Sequence, residues 1–289
     1  MRKKFFAALG AIFLIIIISG FLLNENALVE TNYNNSKDLV LANQYFSNPF
    51  LFDVYLPLDE IVTEDGTIIP IASKGYIKLI PENEDLYEEL SPLKNLKTIV
   101  IVPMFTAMAY SENGFYDYYS GWCDDTCLTV KIKTDLELSH NSSNLGAQVL
   151  RMLGYEWTTD LKVDKNPELL LDYDRIILLH NEYVTQKMFD AITKHPNVIY
   201  LYPNALYAGI KVDYENESIT LIRGHNYPES DIKNGFDWEF ENTHPYEYDT
   251  ECNDWEFYEI ENGFMLNCYP ENAIVQSKEL LQRIKEIGA

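Results

Sequence analysis

Three short runs, Thr98–Val102, Arg175–Leu179 and Asn197–Leu201, consist largely of β-branched and leucine residues without polar alternation. A strand that is apolar on both faces must be covered on both, which restricts the chain to a layered fold with a buried sheet. The segments between the runs have helical spacing. Leu145, Val149, Met152 and Leu153 share one face, with Ser142 or Ser143 as the cap and Gly154 as the stop. Val184, Met188, Ala191 and Ile192 share another, and Leu280, Leu281, Ile284 and Ile287 define a last helix within Ser277–Ile287. Strand, helix, strand, helix, strand with short connections predicts a parallel sheet covered by helices.

The expected class is therefore α/β, flavodoxin-like or similar, over residues 96–289. Residues 25–95 read as an extension. Within it, 25–48 are rich in Asn, Ser and charge and suit a stalk, and Glu82–Leu90 suits a loop or short helix. Glu60–Glu64 and Thr67–Pro70 flank Asp65-Gly66, a pair that favours the positive φ angles of a two-residue hairpin turn.

Residues 1–24 predict a cytoplasmic tip and a transmembrane signal anchor. Arg2, Lys3 and Lys4 precede nineteen uncharged residues, Phe5 to Leu23. As a helix these extend about 28 Å, close to the thickness of a bilayer's hydrocarbon core. The basic cluster keeps the N-terminus cytoplasmic, so the rest of the chain is expected outside the cell membrane. A cleaved signal peptide is the rival. It usually has a shorter apolar run, and cleavage after Ala27 would put Glu25 at the −3 position. Both readings make the body extracytoplasmic.

Three of the 22 Lys and Arg precede the span, leaving 19 against 45 Asp and Glu, a formal −26 for the body. Such a surface repels phosphate backbones and anionic lipid headgroups, so nucleic acid is not an expected partner. The expected partners are the membrane, through the N-terminal helix, and a glycan or other cell-envelope component. Four cysteines, Cys123, Cys127, Cys252 and Cys268, predict two disulfides in any of three connectivities, with a structural zinc site as the rival. Asn34, Asn141 and Asn216 head N-glycosylation sequons.

Residues 224–270 form an aromatic and acidic insertion. Asp237–Glu241 and Asp254–Tyr258 alternate acids with rings, a period-two pattern that predicts strands with Trp238 and Phe240, or Trp255 and Phe257, on one face. Asn234-Gly235 and Asn262-Gly263 are hairpin-turn signals. A two-residue turn at Asn262-Gly263 would set Phe257 opposite Cys268. Cys268 is then free to reach Cys252 by a curl of the strand, or to reach the Cys123/Cys127 loop.

The stretch from Leu145 to Val212 contains Gly154-Tyr155, three residues, Thr159-Asp160; then Tyr173-Asp174, five residues, His180-Asn181-Glu182-Tyr183; then a strand into Tyr202-Pro203-Asn204. This resembles the C-terminal part of the large subunit of N,N-dimethylformamidase, a family with a fold like class I glutamine amidotransferases. The chain departs from that family in having Asn181 for proline and no glycines beside Asn204. The resemblance covers about a quarter of the chain. It implies an amidotransferase-like fold and, because that amidase holds iron through tyrosine and glutamate oxygens, a metal at Tyr183 and Glu182, with His180 beside them. Iron, zinc and calcium are the candidate ions. No cysteine sits in a Gly-x-Cys-x-Gly elbow, so thiol catalysis is not expected, and no Gly-x-Ser-x-Gly elbow, phosphate-binding Gly-rich loop or His-Glu-x-x-His helix is present.

Open α/β sheets bind ligands beyond the carboxyl ends of their strands. On that rule Thr106, Tyr110 and Asp117 after the first run, His180, Glu182 and Tyr183 after the second, and Asn204 after the third are the pocket candidates. His225 and His244 with Tyr246, Asp249 and Glu251 offer a further metal set. Trp122, Trp238, Trp255, Tyr227, Tyr246 and Tyr248 offer sugar-stacking rings, with Asp237 and Glu256 as an acid pair. For each set the alternative is ordinary packing or polar surface. Two functions follow from these residues. One is a non-catalytic module binding a small molecule, glycan or envelope partner. The other is a metal-dependent hydrolase acting on an amide or sugar derivative.

Overall fold

The computed structural model describes residues 39–41, 50–57, 61–64, 67–70, 74–133, 136–240, 242 and 255–289. The expected anchor, residues 25–38 of the expected stalk, Asn34, His244, Tyr246, Tyr248, Asp249, Glu251 and Cys252 lie outside them. Among the described residues no helix is long and apolar enough to cross a membrane.

The first strands form a three-stranded antiparallel sheet of β1 (Leu39–Leu41), β2 (Phe52–Pro57) and β5 (Tyr76–Leu79). Between β2 and β5 the expected hairpin forms from β3 (Ile61–Glu64) and β4 (Thr67–Pro70), with Glu64 opposite Thr67. The acidic stretch after β5 ends in helix α1 (Glu84–Leu90).

The three apolar runs become β6 (Thr98–Val102), β9 (Arg175–Leu178) and β11 (Val198–Tyr200). They join β8 (Glu156–Thr159), β14 (Phe257–Ile260) and β15 (Gly263–Leu266) in a six-stranded sheet ordered β14-β15-β11-β9-β6-β8. All neighbours pair in parallel except β14 with β15. The chain is thus mixed α/β. Numbered along the chain, its five parallel strands stand in the order 2-1-3-4-5, so the winding reverses between β6 and β9.

Helices α2 (Met104–Ala109), α3 (Phe115–Tyr119), α4 (Asn144–Met152), α5 (Asp160–Lys165), α6 (Gln186–Lys194) and α7 (Lys278–Glu286) complete the layers. Alternate residues of the central strands feed two cores, as doubly covered strands require. Val100, Ile177, Ile199 and Leu266 pack with α4, α7, α1 and the β2–β5 sheet. Ile99, Ile101, Ile176, Leu178, Tyr200 and Met265 pack with α2, α5 and α6. A second sheet, ordered β10 (Tyr183–Val184), β12 (Ala208–Asp213), β13 (Ser218–Arg223) and β7 (Thr129–Lys131), shares that second core.

Two expectations for the insertion need correction. The β14–β15 turn is Glu261-Asn262, with Ile260 opposite Gly263 and Phe257 opposite Leu266, so Phe257 does not face Cys268. Gly263 is already a strand residue, and a Cβ there would collide with the Val198 carbonyl oxygen. Asn262 is fixed beside it by bonds to the carbonyls of Ile192 and His195 and from the Tyr200 hydroxyl. The other correction concerns Asp237–Phe240, which is not a strand. The Asn234 side chain accepts from Phe236 N, Asp237 has φ +52°, and the rings fold inward, Phe236 stacking on Phe189 and Trp238 meeting the Phe189 edge.

Candidate functional site

The site lies where the winding reverses. After β6 the chain turns directly into α2, and after β9 it runs through Leu179–Glu182 into β10. Thr106, on the first turns of α2, accepts the Glu182 N–H at 3.0 Å. From the other side, the Glu182 carbonyl accepts from Tyr207 N and Ala208 N. The backbone of one buried acid is therefore held by both flanking segments.

The Glu182 side chain is wholly buried. Tyr116 donates to its carboxylate, at 3.0 and 3.2 Å from the two oxygens. Nδ1 of His225 stands 3.3 Å from Oε1, and Nε2 of His180 stands 3.8 Å from Oε2. Neither nitrogen reaches hydrogen-bond geometry, although both are buried. Nδ1 of His180 is 2.7 Å from the Asn141 carbonyl, an acceptor only, so it carries a hydrogen and Nε2 is the atom turned to the carboxylate. Rings enclose the group: Tyr110 stacks on Tyr116, and His225 meets Tyr116, Tyr119 and Tyr207 at 5.4, 4.3 and 5.7 Å between centroids. The Tyr119 and Tyr183 hydroxyls approach one another without a well-formed bond.

Burial alone would raise the Glu182 pKa, but the imidazoles of His225 and His180 and the Tyr116 hydroxyl outweigh it, so the group stays below the usual glutamate value. Tyr116 and Tyr183 move the other way, pushed well above the phenol range by burial and then by the Glu182 charge. A buried anion thus sits among hydroxyls that keep their protons.

A second buried acid lies on the far side of His180. Glu271 accepts from Leu145 N and Gly146 N at the start of α4 and from the Tyr202 hydroxyl, at 2.5, 3.2 and 2.5 Å. Burial raises its pKa to about 7 despite those three bonds. Tyr269 bridges the two regions, donating to the His140 carbonyl and lying 3.3 Å from Nδ1 of His180. Burial lowers the His140 pKa to about 4.

The structure brings together Thr106, Tyr110, His180, Glu182 and Tyr183 from the expected set. Asp117 is not with them, because its carboxylate accepts Asn113 N and closes its own turn. Asn204 is buried after β11 with φ +61° and an unpartnered Oδ1. It and Leu206, at φ +59°, stand in left-handed backbone, a conformation that glycine adopts more readily. Tyr116 and Tyr119 join the site without having been expected there, although i, i+3 spacing on a short helix puts both on one face. The expected companion of His225 is His244; its place beside Glu182 depends instead on β13 ending beside β12, a pairing with no local signal.

Among the described residues no group of three or more His, Cys, Asp and Glu is arranged to hold a metal ion. Cys123 pairs with Cys127, and Cys268 is disulfide-bonded elsewhere. Asp237 is ion-paired with Arg223 at 2.6 Å, Trp122 is exposed, and Trp255 packs against the first core. Asn141 and Asn216 are exposed. No family model matches the chain, and no curated protein matches it.

Proposed function

We propose that the chain is a flavodoxin-like, class I glutamine amidotransferase-like domain, resembling the C-terminal part of the large subunit of N,N-dimethylformamidase, that binds a small polar molecule without thiol catalysis. The strand order 2-1-3-4-5 supports the fold, since a crevice at the reversal of winding is where such sheets take ligands. One observation carries the function: Glu182 is buried at that reversal with two imidazole nitrogens turned to it and no hydrogen bond from either. Buried polar atoms are almost always partnered, so unpartnered nitrogens turned toward one buried carboxylate are what a ligand could satisfy. A glycan or cell-envelope component suits the extracytoplasmic address expected from the N-terminal span.

The test is a thermal-shift screen of the full chain against a library of small polar compounds. Compounds that raise Tm in the wild type and not in Glu182→Gln support the reading; hits that all persist in Glu182→Gln overturn it. The second reading is a metal-dependent amide or sugar-derivative hydrolase. It is favoured by the buried Tyr183 hydroxyl beside Glu182, the oxygen pair implied by the family resemblance. Stoichiometric iron, zinc or calcium in the purified chain, lost in Tyr183→Phe and His180→Ala, would decide for it.

A further inference from the structure

A cavity of about 410 Å³ opens at the end of β13 and shares no lining residue with the Glu182 cluster. Its volume falls among small-ligand sites, which span about 300–1,000 Å³. Two asparagines in its lining are fixed from behind. Asn242 donates to the Ala205 carbonyl, and Asn234 donates to the Leu206 carbonyl and to Oδ1 of Asn242. Both carbonyls belong to the loop after β11, so the cavity is mounted at the carboxyl end of the parallel sheet, where open α/β folds take ligands. Its two cations are already engaged. Arg223 donates to the Gly235 carbonyl and to Asp237 at 2.9 and 2.6 Å, and Lys233 to Oδ1 of Asn226 and the Ser230 carbonyl. The carboxylates of Asp231 and Glu239 are exposed and have no such partner among the described residues. Trp238 and Phe240, half-buried and edge to face with one another, line the same space.

We propose that this cavity is a second binding site, separate from the Glu182 cluster, and that it takes a neutral saccharide. The lining selects against net charge. An anion finds no free cation there and meets two free carboxylates. A cation meets Arg223 and Lys233, and its pairing with exposed carboxylates is worth little in water. A hydroxyl both donates and accepts, so one ring of hydroxyls can serve Asp231, Asp237 and Glu239 as donor and the Arg223 guanidinium as acceptor. Hydrogen bonds to ionised groups are the stronger kind. The C–H face of the same sugar is apolar and suits the Trp238 and Phe240 rings. The alternation of acids and rings in Asp237–Phe240, which builds no strand, thereby puts both kinds of contact on one cavity.

The test is calorimetric titration of the full chain in a polyoxyethylene detergent, which has no sugar headgroup to compete. Maltose, cellobiose and di-N-acetylchitobiose are the probes. Cellobiouronic acid and de-N-acetylated chitobiose are charged controls of matched size. The expected result is one-to-one binding of at least one neutral disaccharide, tighter than either charged control and weakened about tenfold or more by Asp231→Ala/Glu239→Ala. Both carboxylates are exposed and unpaired, so this variant is expected to keep the wild-type Tm. Failure of all three neutral probes to bind overturns the inference. So does binding that the double variant leaves intact, or a preference for a charged control. Binding that Glu182→Gln abolishes and the double variant retains puts the sugar at Glu182, which overturns this site and supports the Glu182 pocket instead.

Discussion

At the residue scale, two buried glutamates near His180 behave in opposite ways. Glu271 is raised from 4.5 to about 7, so the native state keeps a proton that the unfolded chain releases. Stability therefore falls as pH rises through the window between those values, by about 3 kcal/mol when the group is fully charged. Urea midpoints measured from pH 5 to pH 8 are expected to decline in the wild type and to flatten in Glu271→Gln. Glu182 has the opposite sign. Its lowered pKa adds stability that is present above the ordinary glutamate value and lost as pH falls through the folded one. Thr106 is a brace rather than a ligand contact, since its hydroxyl oxygen is spent on the Glu182 N–H. Thr106→Val is expected to cost about 1–2 kcal/mol in urea unfolding, the value of a buried donor left without its acceptor.

At the element scale, legibility followed burial. The three runs read as strands because each is apolar on both faces, and α4, α6 and α7 because a single stripe faces the sheet. The β14–β15 turn differs by one residue from the expected one because Asn-Gly suits a type I′ turn only locally. Long-range contacts decide otherwise: Gly263 must lie flat against Val198, and Asn262 is bonded to α6 and its C-terminal flank. Alternation in Asp237–Phe240 failed for a related reason. Rings every second residue also suit a coil that turns them onto Phe189 and Tyr200, and no neighbouring strand is available there among the described residues. One element depends on a single buried cation. Arg175 donates to the carbonyls of Lys285 and Ile287, closing the C-terminal end of α7 where a positive charge also suits the helix dipole. Arg175→Met is expected to speed amide exchange in the last turn of α7 and to lower stability by about 1–3 kcal/mol.

At the scale of the whole molecule, the site was half legible. His180, Glu182 and Tyr183 follow a strand that the sequence marks plainly, and the rule for open α/β sheets points there. Tyr116 and His225 come from segments 66 residues before and 43 after Glu182, and only the packed sheets bring them to its oxygens. The Cys123–Cys127 bond closes a loop only four residues in separation, and Cys123 N donates to the Asp117 carbonyl on the helix that carries Tyr116. By the loop-entropy relation its removal costs at most about 2 kcal/mol. The Cys123→Ser/Cys127→Ser pair is accordingly expected to lower the urea midpoint modestly.

The proposed binding role requires Glu182 and its two imidazoles to be where a ligand sits. With only five histidines in the chain, imidazole-ring NMR of the full chain reads this directly. His195 is the internal control, because its two ring nitrogens are engaged by the carbonyls of Asn197 and Tyr173, which precede β11 and β9 at the opposite, amino end of the parallel strands. On titration with a compound that raises Tm, the His180 and His225 ring resonances are predicted to move together while those of His195 stay fixed, and Glu182→Gln is predicted to abolish both movements. Stationary His180 and His225 resonances at saturating ligand would contradict that role.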